Sequence, residues 1–280
     1  MVRRSLQRSA KEIRPPARGS GVTLTHGPHG SGKSSHIEQV AARLNWPCLR
    51  INLDGHVTRA DLIGRDMLLL RDGRQVSEFV PGLLVWALQR PMALILDEYD
   101  AGRPDVMLVL QRLLEADGRL TLLDQNQVLT PHPAFRLFAT ANTAGQGDGS
   151  GLYAGTQALN QAQLDRWSVV AQLDYPAPEQ ERAILAARVP QVPAPILTAM
   201  LNLAGLARRA QANGDLSSLL SMRSLIAWCE NHALLGDVRL AFRLAFYNRC
   251  DDSERALLAE IFQRCFAEEL HGDSAGSTHD

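Results

Sequence analysis

Apolar and polar positions change period repeatedly along the first 175 residues. Val22–His26 is a short β-branched run, and Ile37, Val40, Ala41 and Leu44 then recur at helical spacing within Lys33–Leu44. Cys48–Leu53 reads as a second strand, Gly82–Arg90 as a helix, and Met92–Leu96 as a fully buried strand. Pro104–Ala116 reads as a helix opened by proline, which suits a first helical position because its missing N–H has no partner there anyway. Phe135–Ala141 and Ser168–Leu173 are two more strands. This alternation predicts an α/β fold, a parallel sheet with helices on both faces.

After Tyr175 the strand signals stop. Glu179–Arg188, Pro195–Ala212, Ser224–Leu235, Val238–Asn248 and Ser253–Leu270 all read as helices, and Pro176–Glu179 is a candidate hinge. The pattern predicts a basic flexible arm over 1–21, an α/β domain over 22–175, a small all-helical lid domain over 176–270, and a disordered polar tail over 271–280.

Composition narrows the classes. Of 280 residues 45% are hydrophobic and 21% charged, which suits a globular protein, and the formal net charge of −1 gives no global pull toward nucleic acid or an acidic membrane. No apolar run approaches the length of a membrane span. The arm carries Arg3, Arg4, Arg8, Lys11, Arg14 and Arg18, but no apolar block follows, which argues against a secretory signal. Nor does it interleave aromatics for base stacking. Cys48, Cys229, Cys250 and Cys265 form no CxxC pair, so a reduced, cytoplasmic protein is expected.

Gly27-Pro28-His29-Gly30-Ser31-Gly32-Lys33-Ser34 matches the P-loop pattern between a strand and a helix, with Ser35 next in the helix. Glycines let the backbone curl its amides toward phosphate oxygens, and the helix adds its positive end. Lys33 supplies a point charge to the β- and γ-phosphates of ATP, and Ser34 a hydroxyl to Mg²⁺. The run Met92–Glu98 ends in two acids where a parallel strand presents ligand sites. Asp97 is the expected holder of the magnesium shell, and Glu98 the group that orients and polarises the attacking water. Asn142 ends a further strand, from which its amide could meet the γ-phosphate or that water. Arg166, in Asp165-Arg166-Trp167, and Arg223, in Ser221-Met222-Arg223, are candidate charge stabilisers, with an arginine offered across a ring to the neighbour's γ-phosphate. His26, His29, His36, His56, His132, His232, His271 and His279 have no spacing that suggests a closed metal site.

In this order, Walker A, Walker B, sensor 1, arginine finger and sensor 2 resemble the AAA+ superfamily. Two hairpins, Leu68–Val80 before the helix at Gly82 and Leu120–Leu129 before the sensor strand, resemble its MoxR branch. The stretches HGPHGSGKSSHIEQVAARLNWPCLRINLDGH, LDEYDAGRPDV, LLDQNQVLTPHPAFRLFATANT, GLYAGTQALNQAQLDRW and SMRS narrow the resemblance to the S subunits of aerobic, ATP-dependent cobaltochelatases, from about Val22 to Leu270. The resemblance implies an ATP-hydrolysing homo-oligomeric ring, a hexamer, that works with a T subunit carrying an integrin-like metal-binding domain. It also implies a large N subunit that holds the corrinoid, hydrogenobyrinic acid diamide, during cobalamin biosynthesis. The family's longer N-terminal segment, which helps wall the adenine pocket, has only the proline-broken arm before Val22 to match it here. The alternative within the resemblance is a MoxR-type chaperone that remodels or metal-loads another enzyme. A nucleotide-gated scaffold would have no use for Glu98 and Arg166.

Overall fold

The computed structural model describes residues 22–115, 118–143 and 161–270. The chain divides into two compact units, one running to Pro28 and resuming over Gly32–Asp174, the other made of His29–Ser31 with the chain from Tyr175 onward. The basic arm, the polar tail, Ala116 and most of the GLYAGTQALNQ stretch lie outside the described residues.

The first unit is built on five parallel strands: β1 (Val22–His26), β2 (Cys48–Asn52), β5 (Ala93–Asp97), β8 (Arg136–Ala141) and β9 (Val169–Gln172), in the order β2-β5-β8-β1-β9. All five residues of β5 are buried, as an inner parallel strand with both faces covered requires. Helices α1 (Lys33–Arg43), α2 (Arg59–Ile63), α3 (Leu83–Leu88), α4 (Pro104–Gln111) and α5 (Gln161–Leu164) connect the strands. Their core includes Leu24, Leu53, Leu84, Leu94, Leu96 and Leu137. Tyr99 and Trp167 meet edge to face with ring centroids 5.1 Å apart, which fixes the turn after β5 against the chain entering β9.

Most element boundaries agree with the sequence pattern to a residue or two. Three do not. The helix expected over Pro104–Ala116 stops at Gln111 and tightens into a 3₁₀ turn over Arg112–Leu114. The helix expected over Val238–Asn248 ends at Ala245, because Phe246 leaves helical geometry to enter the core, and a separate turn follows over Tyr247–Arg249. The first hairpin is longer than its apolar stretch: β3 (Gly64–Arg71) and β4 (Arg74–Pro81) pair from Gly64↔Pro81 to Arg71↔Arg74. Its turn, Asp72 at φ 51° and Gly73 at φ 78°, is the two-residue kind that follows strand twist. The second hairpin joins β6 (Leu120–Leu122) to β7 (Gln127–Leu129).

The second unit contains α6 (Pro178–Arg188), α7 (Ala194–Asn213), α8 (Met222–Leu235), α9 (Val238–Ala245) and α10 (Asp252–Phe266). Its core centres on Trp228, Phe242 and Phe262, with the Trp228 and Phe242 rings 4.6 Å apart. One ion pair is taken inside: Glu181 is buried, accepts from Arg208 Nη1 at 2.8 Å, and Arg208 also stacks on the Tyr175 ring. Burial pushes the Glu181 carboxyl up, against the pull of Arg208.

Candidate nucleotide site

Strand register assembles the site. Thr25 lies opposite Thr140 and His26 opposite Ala141, while Leu96 lies opposite Ala139. The carboxyl ends of β1, β8 and β5 are therefore level, and they deliver Gly27, Asn142 and the Asp97–Glu98 pair to one edge of the sheet. Ligands of open parallel sheets bind at that edge.

The P-loop leaves β1 through Gly27, whose φ is 149°; a Cβ there would stand 2.1 Å from the Leu173 carbonyl oxygen, so no larger residue fits. It enters α1 through Gly32 at φ 93°, with no side chain capping the helix. The positive end of α1 thus suits an outside anion such as phosphate. Lys33 is buried, and its ammonium donates to the carbonyls of Gly27 at 2.8 Å and Pro28 at 3.0 Å and to Asn142 Oδ1 at 3.0 Å. The lysine thereby links the two motifs that the sequence places 109 residues apart.

Asp97 is buried and fully engaged: Oδ1 accepts from Ser34 Oγ and Thr140 Oγ1, and Oδ2 pairs with Arg50. Burial alone would raise its carboxyl, but the donors Ser34, Thr140 and Arg50 outweigh it and hold the group below the ordinary carboxylate range. The anion is therefore kept at neutral pH. A hydroxyl and a carboxylate at one point are hard oxygen donors of the kind Mg²⁺ takes, with phosphate and water completing its shell. The residues present fit Mg²⁺–ATP.

Glu98 follows at φ 56°, an unusual conformation for a non-glycine residue, and its amide donates to Thr140 Oγ1 at 3.4 Å. Asp100, buried in the next turn, holds the sensor segment: Oδ2 accepts from the amides of Asn142 at 2.9 Å and Thr143 at 3.0 Å, and from Thr143 Oγ1 at 3.1 Å.

The remaining expected residues are more dispersed. Ser35 is exposed in the first turn of α1, and Ser31 is buried. His29, Gly30 and Ser31 group with the second unit. Within that unit Arg223, exposed at the start of α8, has Nη1 3.3 Å from His29 Nε2. Arg166 donates to the Ala162 carbonyl and precedes β9, at the amino end of the strand. The sequence pattern missed Arg50, Thr140 and the clamping role of Asp100, which acts through strands far away in the chain. Among the described residues no three His, Cys, Asp or Glu side chains gather as a metal cage.

The chain matches the family model "AAA domain (dynein-related subfamily)" over residues 23–159. It is 57% identical to the aerobic cobaltochelatase subunit CobS of Sinorhizobium sp, covering 88% of this chain and 76% of that protein. Protein CbbQ of Hydrogenophilus thermoluteolus is 29% identical over 58% of this chain and 57% of its own length. Midasin of Dictyostelium discoideum is 27% identical over 92% of this chain, which spans only 4% of that protein.

Proposed function

The chain belongs to the family of the aerobic cobaltochelatase subunit CobS, and from that membership we propose that it is the ATP-hydrolysing subunit of such a chelatase, driving cobalt insertion into a corrinoid held by a partner. The observation that carries this reading is the knot of Lys33, Asn142, Ser34 and Asp97 at the level ends of three neighbouring strands. We take 22–175 as the nucleotide-binding domain, 176–270 as the lid, and the cytoplasm as the compartment, where the free cysteines stay reduced.

In this reading Gly27–Ser35 cradle the phosphates, and Lys33 exchanges its carbonyl and amide partners for the β- and γ-phosphate oxygens. Ser34 and Asp97 hold Mg²⁺, which neutralises charge developing on the phosphates. Glu98 accepts a proton from the attacking water, and Asn142 orients the γ-phosphate or that water. Arg223 reports the γ-phosphate to the helical side.

Arg166 is assigned to the neighbouring subunit's nucleotide. It stands before Val169, whose partner in β1 is Thr23, whereas the P-loop begins after His26. The sheet separates Arg166 from its own P-loop by about three or more strand residues, roughly 10 Å at the usual rise. A closed ring, a hexamer in this family, brings such an arginine to the next site. The partners are a T subunit with an integrin-like metal-binding domain and a large N subunit carrying hydrogenobyrinic acid diamide.

The test is reconstitution. The chain mixed with its T and N subunits, Mg²⁺–ATP, cobalt and the corrinoid should insert cobalt, and Lys33→Ala should abolish both nucleotide binding and insertion. Wild-type ATP affinity in Lys33→Ala would overturn the site assignment. Insertion at the full rate without this chain would overturn the function.

A further inference from the structure

Ser34 and Glu38 are one helical turn apart on α1 and project from the same face. Arg50 and Asp97 belong to adjacent parallel strands, where Arg50 pairs with Ile95 and Asn52 with Asp97, so their side chains also share a face. These four residues meet. The Arg50 guanidinium binds Asp97 Oδ2 through Nη2, while its Nη1 lies 3.9 Å from Glu38 Oε1. Asp97 is nearly enclosed, with a side chain 8% exposed, whereas Arg50 and Glu38 are 40% and 41% exposed. One guanidinium thus has two carboxylates in reach, a buried one that holds the metal and a solvated one on the P-loop helix.

Asp97 Oδ1 is already occupied by two hydroxyls, so Oδ2 is the oxygen with which a hydrated cation could still engage. Arg50 covers that oxygen. A guanidinium and Mg²⁺ beside one carboxylate repel each other, and the repulsion is strong where water is scarce. The shortest escape for the guanidinium is toward Glu38, whose Oε1 already lies 3.9 Å from Nη1. We propose that Arg50 is a positioning residue that stands in for the metal: it holds the charged Asp97 while the site is free of Mg²⁺ and passes to Glu38 when Mg²⁺ arrives with nucleotide. This rests on the assignment of Ser34 and Asp97 as the Mg²⁺ holders. The Asp97 charge is then compensated in both states, and competition between Arg50 and Mg²⁺ limits how far the metal tightens nucleotide binding.

That limit is a coupling free energy between metal and nucleotide, measurable without turnover. The affinity of the intact chain for a fluorescent ADP analogue is measured in EDTA and in saturating Mg²⁺, and the ratio of the two affinities is compared among variants. Arg50→Gln should leave the EDTA affinity within about twofold and enlarge the ratio about fivefold, at the low end of ordinary coupling. Glu38→Gln removes the alternative partner and should shrink the ratio. Arg50→Lys, which keeps the charge, should stay near wild type. An unchanged or smaller ratio in Arg50→Gln overturns the proposal, since Arg50 would then be neutral or helpful to the metal. Should Arg50→Gln fail to fold, Glu38→Gln decides alone: a ratio equal to or above wild type overturns it. If wild type itself shows no difference between EDTA and Mg²⁺, the Mg²⁺ assignment to Ser34 and Asp97 fails first, and this inference falls with it.

Discussion

At the scale of single residues the site divides labour between charge and geometry. Lys11 and Lys33 are the chain's lysines; every other strong base is arginine. A compact ammonium can turn from the carbonyls of Gly27 and Pro28 to phosphate oxygens without the planar reach a guanidinium needs, which accounts for lysine at 33 in so arginine-rich a chain. Glu98→Gln keeps the size of the side chain and removes the proton acceptor. ATP binding should persist while turnover falls by about a hundredfold or more, the usual contribution of a general base. Retained hydrolysis, measured by phosphate release, would move the role to another acid. Asp100 is a positioning residue, because it acts on the site through Asn142 and Thr143. Asp100→Ala should lower turnover by roughly tenfold, the worth of one charge-assisted hydrogen bond. In an Asn142→Ala background the same change should cost almost nothing further. Additive losses in that double-mutant cycle would show that Asp100 only supports the fold.

At the scale of elements, the glycine-rich turn and the two acids ending β5 were legible because each is a local pattern with a local cause. The Thr140–Asp97, Arg50–Asp97 and Asp100–Asn142 contacts were not, because they join residues 43, 47 and 42 positions apart and depend on strand register. A threonine in RLFATA gives no sign of pairing with Asp97 until β5 and β8 are aligned. The first hairpin was legible over Leu68–Val80 but not in its first residues, since Gly64, Arg65 and Asp66 break the apolar pattern yet belong to β3. That hairpin leaves Leu68 72% and Leu70 74% exposed, and Leu123 in the turn of the second hairpin is 73% exposed. Gln125 reaches Asp66 at 3.5 Å, so the two insertions stand together, and Asp124 faces Arg59 of α2 at 3.5 Å. Apolar side chains held out in this way, with no nucleotide ligand among them, suit contact with another protein. Removing the Asp72-Gly73 tip should leave ATPase activity nearly intact and cut cobalt insertion in the three-subunit mixture. Insertion at the wild-type rate would remove the hairpin from the coupling path.

At the scale of the whole molecule, Arg166 precedes the amino end of β9, whereas its own P-loop follows the carboxyl end of β1, and Trp167, buried against Tyr99, fixes its backbone in place. On the proposed assignment, an arginine at the amino end of β9 stabilises transition-state charge in a site supplied by another copy. Arg166→Ala should therefore spare ATP binding and lower hydrolysis by about a thousandfold, as for other arginine fingers. The same geometry fixes how mixtures behave. On that assignment a subunit lacking Arg166 should still bind nucleotide but disable the site of the neighbour it faces. If the ring hydrolyses in concert, one such subunit slows the rest. Doping Arg166→Ala chains into wild-type rings should then depress ATPase activity more steeply than the wild-type fraction falls. A strictly proportional decline would mean that each chain completes its own site, and would place the stabilising charge on a residue of the same subunit.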